Sequence, residues 1–357
     1  MTRYARTLSA LLAVTALIAT VVLAPAATAK KGHKHGPKLE FRGQLIIPTG
    51  TTFQATTVGG LSSISYAGDE TFYAISDDQA NARFYKLRAS VADGQLSTGD
   101  VTFLSVTTLK QPDGTLYPPG SLDPEGFGLT KHNRGAVITS EGFANRLIPP
   151  WIRLYRLDGS YVRDFPVPED YIPNAAGTRG VRLNLGFESA ATLGKRLYTG
   201  TEAALVQDGP AATLAAGSPA RLQGWDVKRN TLKREWRYLT EPIAEPPSPP
   251  TQFAVNGLVE VLPRGKDRLI TMERSFSVGA PGTGNKIKLF LTQLNKDGTT
   301  SKSLLLNLDE LGIPLDNVEG MTFGPRPRHG GRTLLLVSDN NFAPTQFTQF
   351  LLFAVRK

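Results

Sequence analysis

The chain has no cysteine among its 357 residues. No disulfide can brace it and no cysteine-linked lipid can anchor it, so the fold must be held by its own core. Histidine is nearly as scarce, with four in all. His33 and His35 lie in a polar N-terminal stretch, while His132 and His329 sit in polar turns between strand-like runs. That distribution argues against a zinc or other transition-metal centre and against a Ser-His-Asp hydrolase. Neither a Gly-x-Ser-x-Gly elbow nor a Gly-x-x-x-x-Gly-Lys-Ser/Thr loop occurs. Long amphipathic helical patterns are absent too, and beyond residue 23 no apolar run is long enough to span a bilayer.

The N-terminus carries the one long apolar run. Arg3 and Arg6 precede the uncharged stretch Leu8 to Leu23, followed by the small-x-small site Ala27-Thr28-Ala29. This predicts a signal peptide over 1–29, cleaved after Ala29, and a secreted, extracellular product free of the membrane once cleaved, with an uncleaved anchor as the alternative. The net charge of +9 includes these two arginines and Lys30, Lys31, Lys34 and Lys38 of a Gly/His/Pro-rich segment, 30–38. That segment reads as a basic, disordered spacer, or as a contact to an anionic cell wall. No basic stripe interleaved with aromatics marks the body, so nucleic-acid binding is not expected, and the mature chain is expected to be a monomer.

What remains, 39–357, repeats itself. Five segments share a turn, a short apolar strand, a polar turn and a second strand ending in Ser/Thr and usually an acid. They are Gly60 to Ile64 with Tyr73 to Asp78, Asp123 to Phe127 with Val137 to Gly142, and Leu185 to Ser189 with Leu197 to Glu202. Asn256 to Glu260 with Leu269 to Arg274, and Asn317 to Met321 with Leu335 to Asn340, complete the set. Two further strand-like runs follow each of the first four pairs, giving four-stranded antiparallel units. The fifth has only three strands, and Leu39 to Ile47 is left over at the N-terminus. The reading is an all-β propeller of five four-stranded blades, the ring closed by the N-terminal strand completing the last blade. A sixth blade hidden in 110–121, 206–220 or 241–255 is the alternative, although these Pro/Gly/Ala-rich stretches read as loops.

Equivalent positions of successive blades lie around the propeller axis, so Glu125, Glu188, Glu260 and Glu319 are expected to face the channel. Glu141, Glu202, Glu273 and Asp339, with Asp77, would form a rim nearby. Crowded carboxylates repel one another and raise their pKa values unless cations neutralise them. Oxygen donors of this kind suit Ca²⁺, or alternatively Mg²⁺, and Asp123 and Asp316 extend the metal set. Arg182 and Arg274, with Asn184 and Asn256, are the expected substrate-binding groups, the arginines suited to bidentate capture of phosphate. Each of these residues also has a plainer role open to it, the acids capping turns and the arginines pairing with them. A quinone-dependent dehydrogenase would need a histidine near the channel, and no acid-bearing repeat supplies one.

In these stretches the sequence resembles the phytase-like domain family, named for an esterase-like activity of phytase. The resemblance rests on Gly59-Gly60-Leu61-Ser62, Leu122-Asp123-Pro124-Glu125-Gly126-Phe127 with Ser140-Glu141-Gly142, and Arg182-Leu183-Asn184-Leu185-Gly186-Phe187-Glu188. Glu202-Ala203-Ala204-Leu205, Asn317-Val318-Glu319-Gly320-Met321 and Ser338-Asp339-Asn340-Asn341-Phe342 add to it, so that the likeness spans about 40–355. It implies an extracellular propeller hydrolysing phosphoric or carboxylic esters; the carboxylate ring read above, as a calcium site, makes Glu125, Glu188 and Glu319 the expected catalytic residues. The alternative is a non-catalytic propeller that recognises a cell-wall component or another protein and uses calcium structurally.

Overall fold

The computed structural model describes residues 37–327 and 331–356. The expected leader, the basic segment up to residue 36, and His329 lie outside them. Strand β1 (Lys38–Ile47) begins one residue before the expected boundary and leads through a small hairpin, β2 (Thr52–Phe53) and β3 (Thr56–Thr57), into five sheets. Blade 1 is β4 (Leu61–Gly68), β5 (Thr71–Ser76), β6 (Arg83–Ala89) and β7 (Val101–Thr108). Blade 2 is β8 (Pro124–Leu129), β9 (Ala136–Ser140), β10 (Trp151–Tyr155) and β11 (Tyr161–Asp164). Blade 3 is β12 (Ala191–Leu193), β13 (Arg196–Gly200), β14 (Pro219–Asp226) and β15 (Thr231–Leu239). Blade 4 is β16 (Ala254–Pro263), β17 (Arg268–Ser277), β18 (Asn285–Leu294) and β19 (Thr300–Asn307). Blade 5 is β20 (Asn317–Phe323), β21 (Thr333–Asp339) and β22 (Thr348–Arg356), completed by β1.

The architecture is therefore the expected five-bladed propeller, closed by pairing of the two ends of the domain, and the three long connections form no sixth blade. One expected strand does not form. Leu185 to Ser189 is a loop held by isolated bridges, and the inner strand of blade 3 is the three-residue β12 just after it.

Packing explains why the ring holds without covalent braces. Each gap between consecutive blades is filled by its own apolar cluster, for example Phe84, Phe127, Ile138 and Tyr155 between blades 1 and 2. Val137, Phe187, Leu197 and Trp225 fill the next gap, and Leu222, Tyr238, Leu258 and Leu269 the one after. Middle strands are sandwiched on both faces, and β21 is buried along its whole length with the apolar run Leu334 to Val337 at its centre. Outer strands such as β11 alternate between half-buried and exposed residues, with one face to solvent.

Inner strands approach the axis closely. A Cβ on Gly126 would meet backbone of Ser189 and Ala190 at 2.5 Å, and one on Gly320 would meet Ser63 at 3.0 Å. These glycines let neighbouring inner strands touch and keep the channel narrow below its mouth.

Candidate functional site

At one end of the axis lies a cavity of about 700 Å³. Eight carboxylates line it: Asp77, Asp123, Glu125, Glu141, Glu188, Glu202, Glu319 and Asp339. Arg274 is the one lysine or arginine among its lining residues. Gln79, Asn184, Asn317 and Asn341 add neutral polar groups, and Phe253 and Phe276 flank the opening.

Local backbone irregularity aims these acids. The ladder between first and second strands slips at Leu61/Ser63 in blade 1, Pro124/Phe127 in blade 2 and Val318/Gly320 in blade 5. Such bulges turn the extra residue out of the pleat, and the residues turned are Ser62, Glu125 and Glu319. Glu188 reaches the same cavity from the loop before β12. The second strands deliver Asp77, Glu141, Glu202 and Asp339 from their ends.

The carboxylates form two overlapping triads. The ligand oxygens of Asp123, Glu125 and Glu141 lie within 4.8 Å of one another, as do those of Glu141, Glu188 and Glu202. Glu141 accepts from the Gly186 amide at 2.6 Å, and Glu188 lies against both Glu141 and Glu202. On the other side, Arg274 pairs with Glu319 at 2.9 Å and reaches Glu202 at 3.4 Å. Asn317 donates to Glu319 at 3.0 Å and to Asp339 at 3.2 Å, and Gln79 donates to Asp123 at 2.9 Å.

Burial sets the electrostatics. Seven of the eight acids are buried and Asp77 is half-buried, and loss of hydration is the first cause of each upward shift. Mutual repulsion adds to it in several. Asp123 is pushed to about 6, Glu202 to about 7, and Glu141 and Asp339 to about 8. Glu125 and Glu188 are raised well above the carboxylate range by burial and then by neighbouring acids. Burial works against the Arg274 charge, yet Glu202, Glu319 and Glu188 together hold its pKa above the ordinary value.

Buried charge without compensation is costly, and here one guanidinium faces eight carboxyls. Asp77 Oδ1 accepts no hydrogen bond, and Glu202 Oε1 has the 3.4 Å approach of Arg274 in place of one. The donor set is carboxylate oxygen only, clustered at short range and partly unpartnered, which fits a hard divalent cation. The arginine is correspondingly important. Arg274→Met is expected to cost roughly 3 kcal/mol at neutral pH in chelator, since it strands Glu319 and Glu202. Urea unfolding at pH 7.5 measures it, and the loss should shrink at pH 5.

The structure does not bring the other expected residues to this cavity. Glu260 sits one residue past the bulge of blade 4, where the extra residue is Val259. The one-residue offset turns its side chain deeper into the axis, where it accepts from Ser63 Oγ of blade 1 at 2.8 Å. Glu273 is turned out because β17 continues to Ser277 and its residues alternate. It accepts from Tyr238 at 2.6 Å, Lys302 at 2.5 Å and Asn256 at 3.1 Å, and the next residue, Arg274, takes the channel position. Asn256 is thereby a partner of Glu273 and of the Glu241 carbonyl. Asp316 caps the Asn317 and Phe347 amides, and Arg182 donates to the Ala204 and Gly209 carbonyls. Of the expected substrate-binding groups, Arg274 and Asn184 line the cavity, Asn184 exposed at its mouth with φ of +57°. Gln79 and Asn317 were not among the expected residues, because a neutral amide beside an acid carries no periodic signal.

Comparison with known proteins adds a family. The family model described as "Phytase-like: Esterase-like activity of phytase" matches residues 56–342. Among curated proteins none matches the chain. A putative glycoside hydrolase from Bacteroides ovatus is 12% identical with a TM-score of 0.47, over 90% of this chain and 96% of that one. The WD40 β-propeller domain of Doa1 gives 8% and 0.34, over 89% and 97%. TolB from Acinetobacter baumannii gives 10% and 0.36, over 88% of this chain and 63% of that one.

Proposed function

This chain belongs to the phytase-like family, and from that premise we propose that it hydrolyses phosphoric esters, or failing these carboxylic esters, at the acidic mouth of its channel with a divalent cation, calcium before magnesium. The observation that carries the proposal is the eight-carboxylate cavity with its single arginine. Asp123, Glu125, Glu141, Glu188 and Glu202 would hold the cation, which when bound neutralises them and polarises an ester oxygen. Arg274 supplies the site's own positive charge, and its buried Nε, which has no partner, is the free donor for an anionic ester oxygen. Asp339, pushed to about 8 by burial and then by Glu319, keeps a proton on its carboxyl near neutral pH. That proton is available to the departing alkoxide oxygen. Gln79 and Asn317 hold the flanking carboxyls in place. Export through the expected leader would put the site where calcium is abundant, and a small ester diffusing to the open mouth fits a cavity of this size.

The test is release of phosphate from phytate and from p-nitrophenyl phosphate, beside acetate release from p-nitrophenyl acetate, in Ca²⁺, Mg²⁺ and chelator. Turnover should require the cation and fall by at least about a hundredfold in Glu125→Gln, the scale of a lost electrostatic contribution. Activity indifferent to both chelator and Glu125→Gln would sink the reading. A second reading is favoured by the Glu141–Gly186 contact, which ties blades 2 and 3 at the cation site. It makes the ion structural and the propeller a binding module, and predicts no turnover while Ca²⁺ still raises the melting temperature.

A further inference from the structure

The acidic cavity occupies one end of the strands, and the other end carries the opposite charge. The turn joining β16 to β17 presents Arg264, Lys266 and Arg268, all exposed, at the far ends of the strands whose near ends carry Val255 and Arg274. Facing them across the gap between blades 3 and 4 are Lys233 and Arg234 of β15 and Arg196 of β13. Lys296, from the turn after β18, closes the end. Two cavities of about 220 and 520 Å³ lie between these walls, and a third of about 480 Å³ opens beside them on blade 4, all three meeting at Lys266 and Asp267. Asp267 is the one acid lining them. None of the seven cations makes an ion pair with a carboxylate among the described residues.

The cleft is built rather than incidental. Arg196 donates to the Lys266 carbonyl at 3.3 Å and Tyr198 Oη to the same oxygen at 2.7 Å, pinning the basic turn. Arg234 donates to the Lys296 carbonyl at 2.8 Å, and the half-buried Trp236 indole to the Asn295 carbonyl at 3.0 Å. Each tie uses backbone oxygen as acceptor, so Arg196 and Arg234 are positioned without being neutralised, and the backbone of the two basic turns is fixed. That much of the ordering is done before a ligand arrives.

We propose that this cleft binds a linear phosphodiester polymer without bases, independently of any chemistry in the acidic cavity. Its four guanidiniums suit phosphate oxygens, which they can grip bidentately. Cavities that meet at Lys266 and Asp267 and open between two blades make a cleft, which fits a chain rather than a flat bilayer. Of the aromatics that line it, Tyr198 and Trp225 are buried and Trp236 alone is half-buried, which does not make a platform on which successive bases could stack. Contacts of this kind release counterions, so binding must weaken steeply with salt.

The probe is fluorescently labelled poly(glycerol phosphate) and the readout is anisotropy with the intact protein. Single-stranded DNA with the same number of phosphates and phosphatidylglycerol vesicles serve as the other arms. The polymer should bind at 50 mM salt and weaken at least about tenfold by 200 mM. Arg264→Glu/Lys266→Glu/Arg268→Glu should lower affinity at least about tenfold and flatten the logarithmic salt slope by about 2, for three phosphate contacts. Lys233→Glu/Lys296→Glu tests the other walls and should act the same way. Arg88→Glu, an exposed charge on blade 1, should leave binding unchanged. The proposal is overturned if the cleft variants bind like the wild type while folded by circular dichroism. It also fails if DNA outcompetes the polymer at equal phosphate number, if only vesicles bind, or if nothing binds at 50 mM salt.

Discussion

In chelator, the melting temperature of the protein is expected to fall steadily as pH rises from about 5 to 8, and calcium is expected to restore it most at the alkaline end. The sign follows from linkage. In the unfolded chain these carboxyls titrate near 4, whereas folding raises Asp123 to about 6, Glu202 to about 7, and Glu141 and Asp339 to about 8. The folded state therefore retains protons that the unfolded state has released. Stability from these groups is intact below about pH 4 and is lost as pH climbs through the folded values. A cation held by the ionised triads offsets the repulsion that appears in that same window, so its stabilising effect should be small at pH 5 and large at pH 8. Glu260 provides an internal control. Burial also pushes it to about 8, but it lies away from both triads, bonded to Ser63. Glu260→Gln should remove a part of the pH dependence that calcium does not rescue. Thermal scans from pH 5 to 8 with and without Ca²⁺ decide the matter, and a chelated protein as stable at pH 8 as at pH 5 would contradict the picture.

The architecture was legible because blades repeat. Strand alternation, turn residues and the leftover run Leu39 to Ile47 each carry a periodic or compositional signal, and together they give the blade number and the closure. The acids were legible as a class for the same reason, but their individual directions were not. Glu260 and Glu319 align as equivalents in sequence, yet the bulge falls on Val259 in one strand and on Glu319 in the other. Since side chains alternate every residue, that single offset sends one carboxylate to the cavity and the other down the axis. Glu273 and Arg274 exchange roles because β17 runs past them, a matter of strand length that no local motif encodes. The basic cleft was hidden for a different reason. Its cations come from β13, β15 and two turns, dispersed between Arg196 and Lys296, and only the stacking of blades 3 and 4 assembles them. A linear scan for a basic stripe with aromatics passes over such a surface.

Removing residues 1–47 is expected to abolish cooperative folding, although it deletes no cavity residue. Strand β1 pairs antiparallel with β22 from Lys38 opposite Arg356 to Ile47 opposite Thr348, with a bulge between Phe41 and Gln44. Gly43 lies in that bulge at φ +117°, where a Cβ would strike the Leu96 carbonyl oxygen at 2.2 Å. Leu39 packs between blades 4 and 5, and Leu45 and Ile47 between blades 5 and 1. The strand thus seals two of the five interblade cores at once. Three aliphatic side chains at about 2 kcal/mol each give about 6 kcal/mol before the lost ladder is considered. Domains are typically stable by about 5–15 kcal/mol, so most or all of the margin goes. The deletion would also leave β22, with its Leu351 and Phe353, as an unpaired edge, a template for aggregation. The truncated chain should show no sigmoidal urea transition and rapid proteolysis. A peptide covering Lys38–Ile47, added in trans, should restore protection by refilling the fourth strand of blade 5. If the truncated chain instead melts cooperatively within a few degrees of the full-length protein, the ring is held by its remaining interblade cores and closure by the N-terminal strand is dispensable.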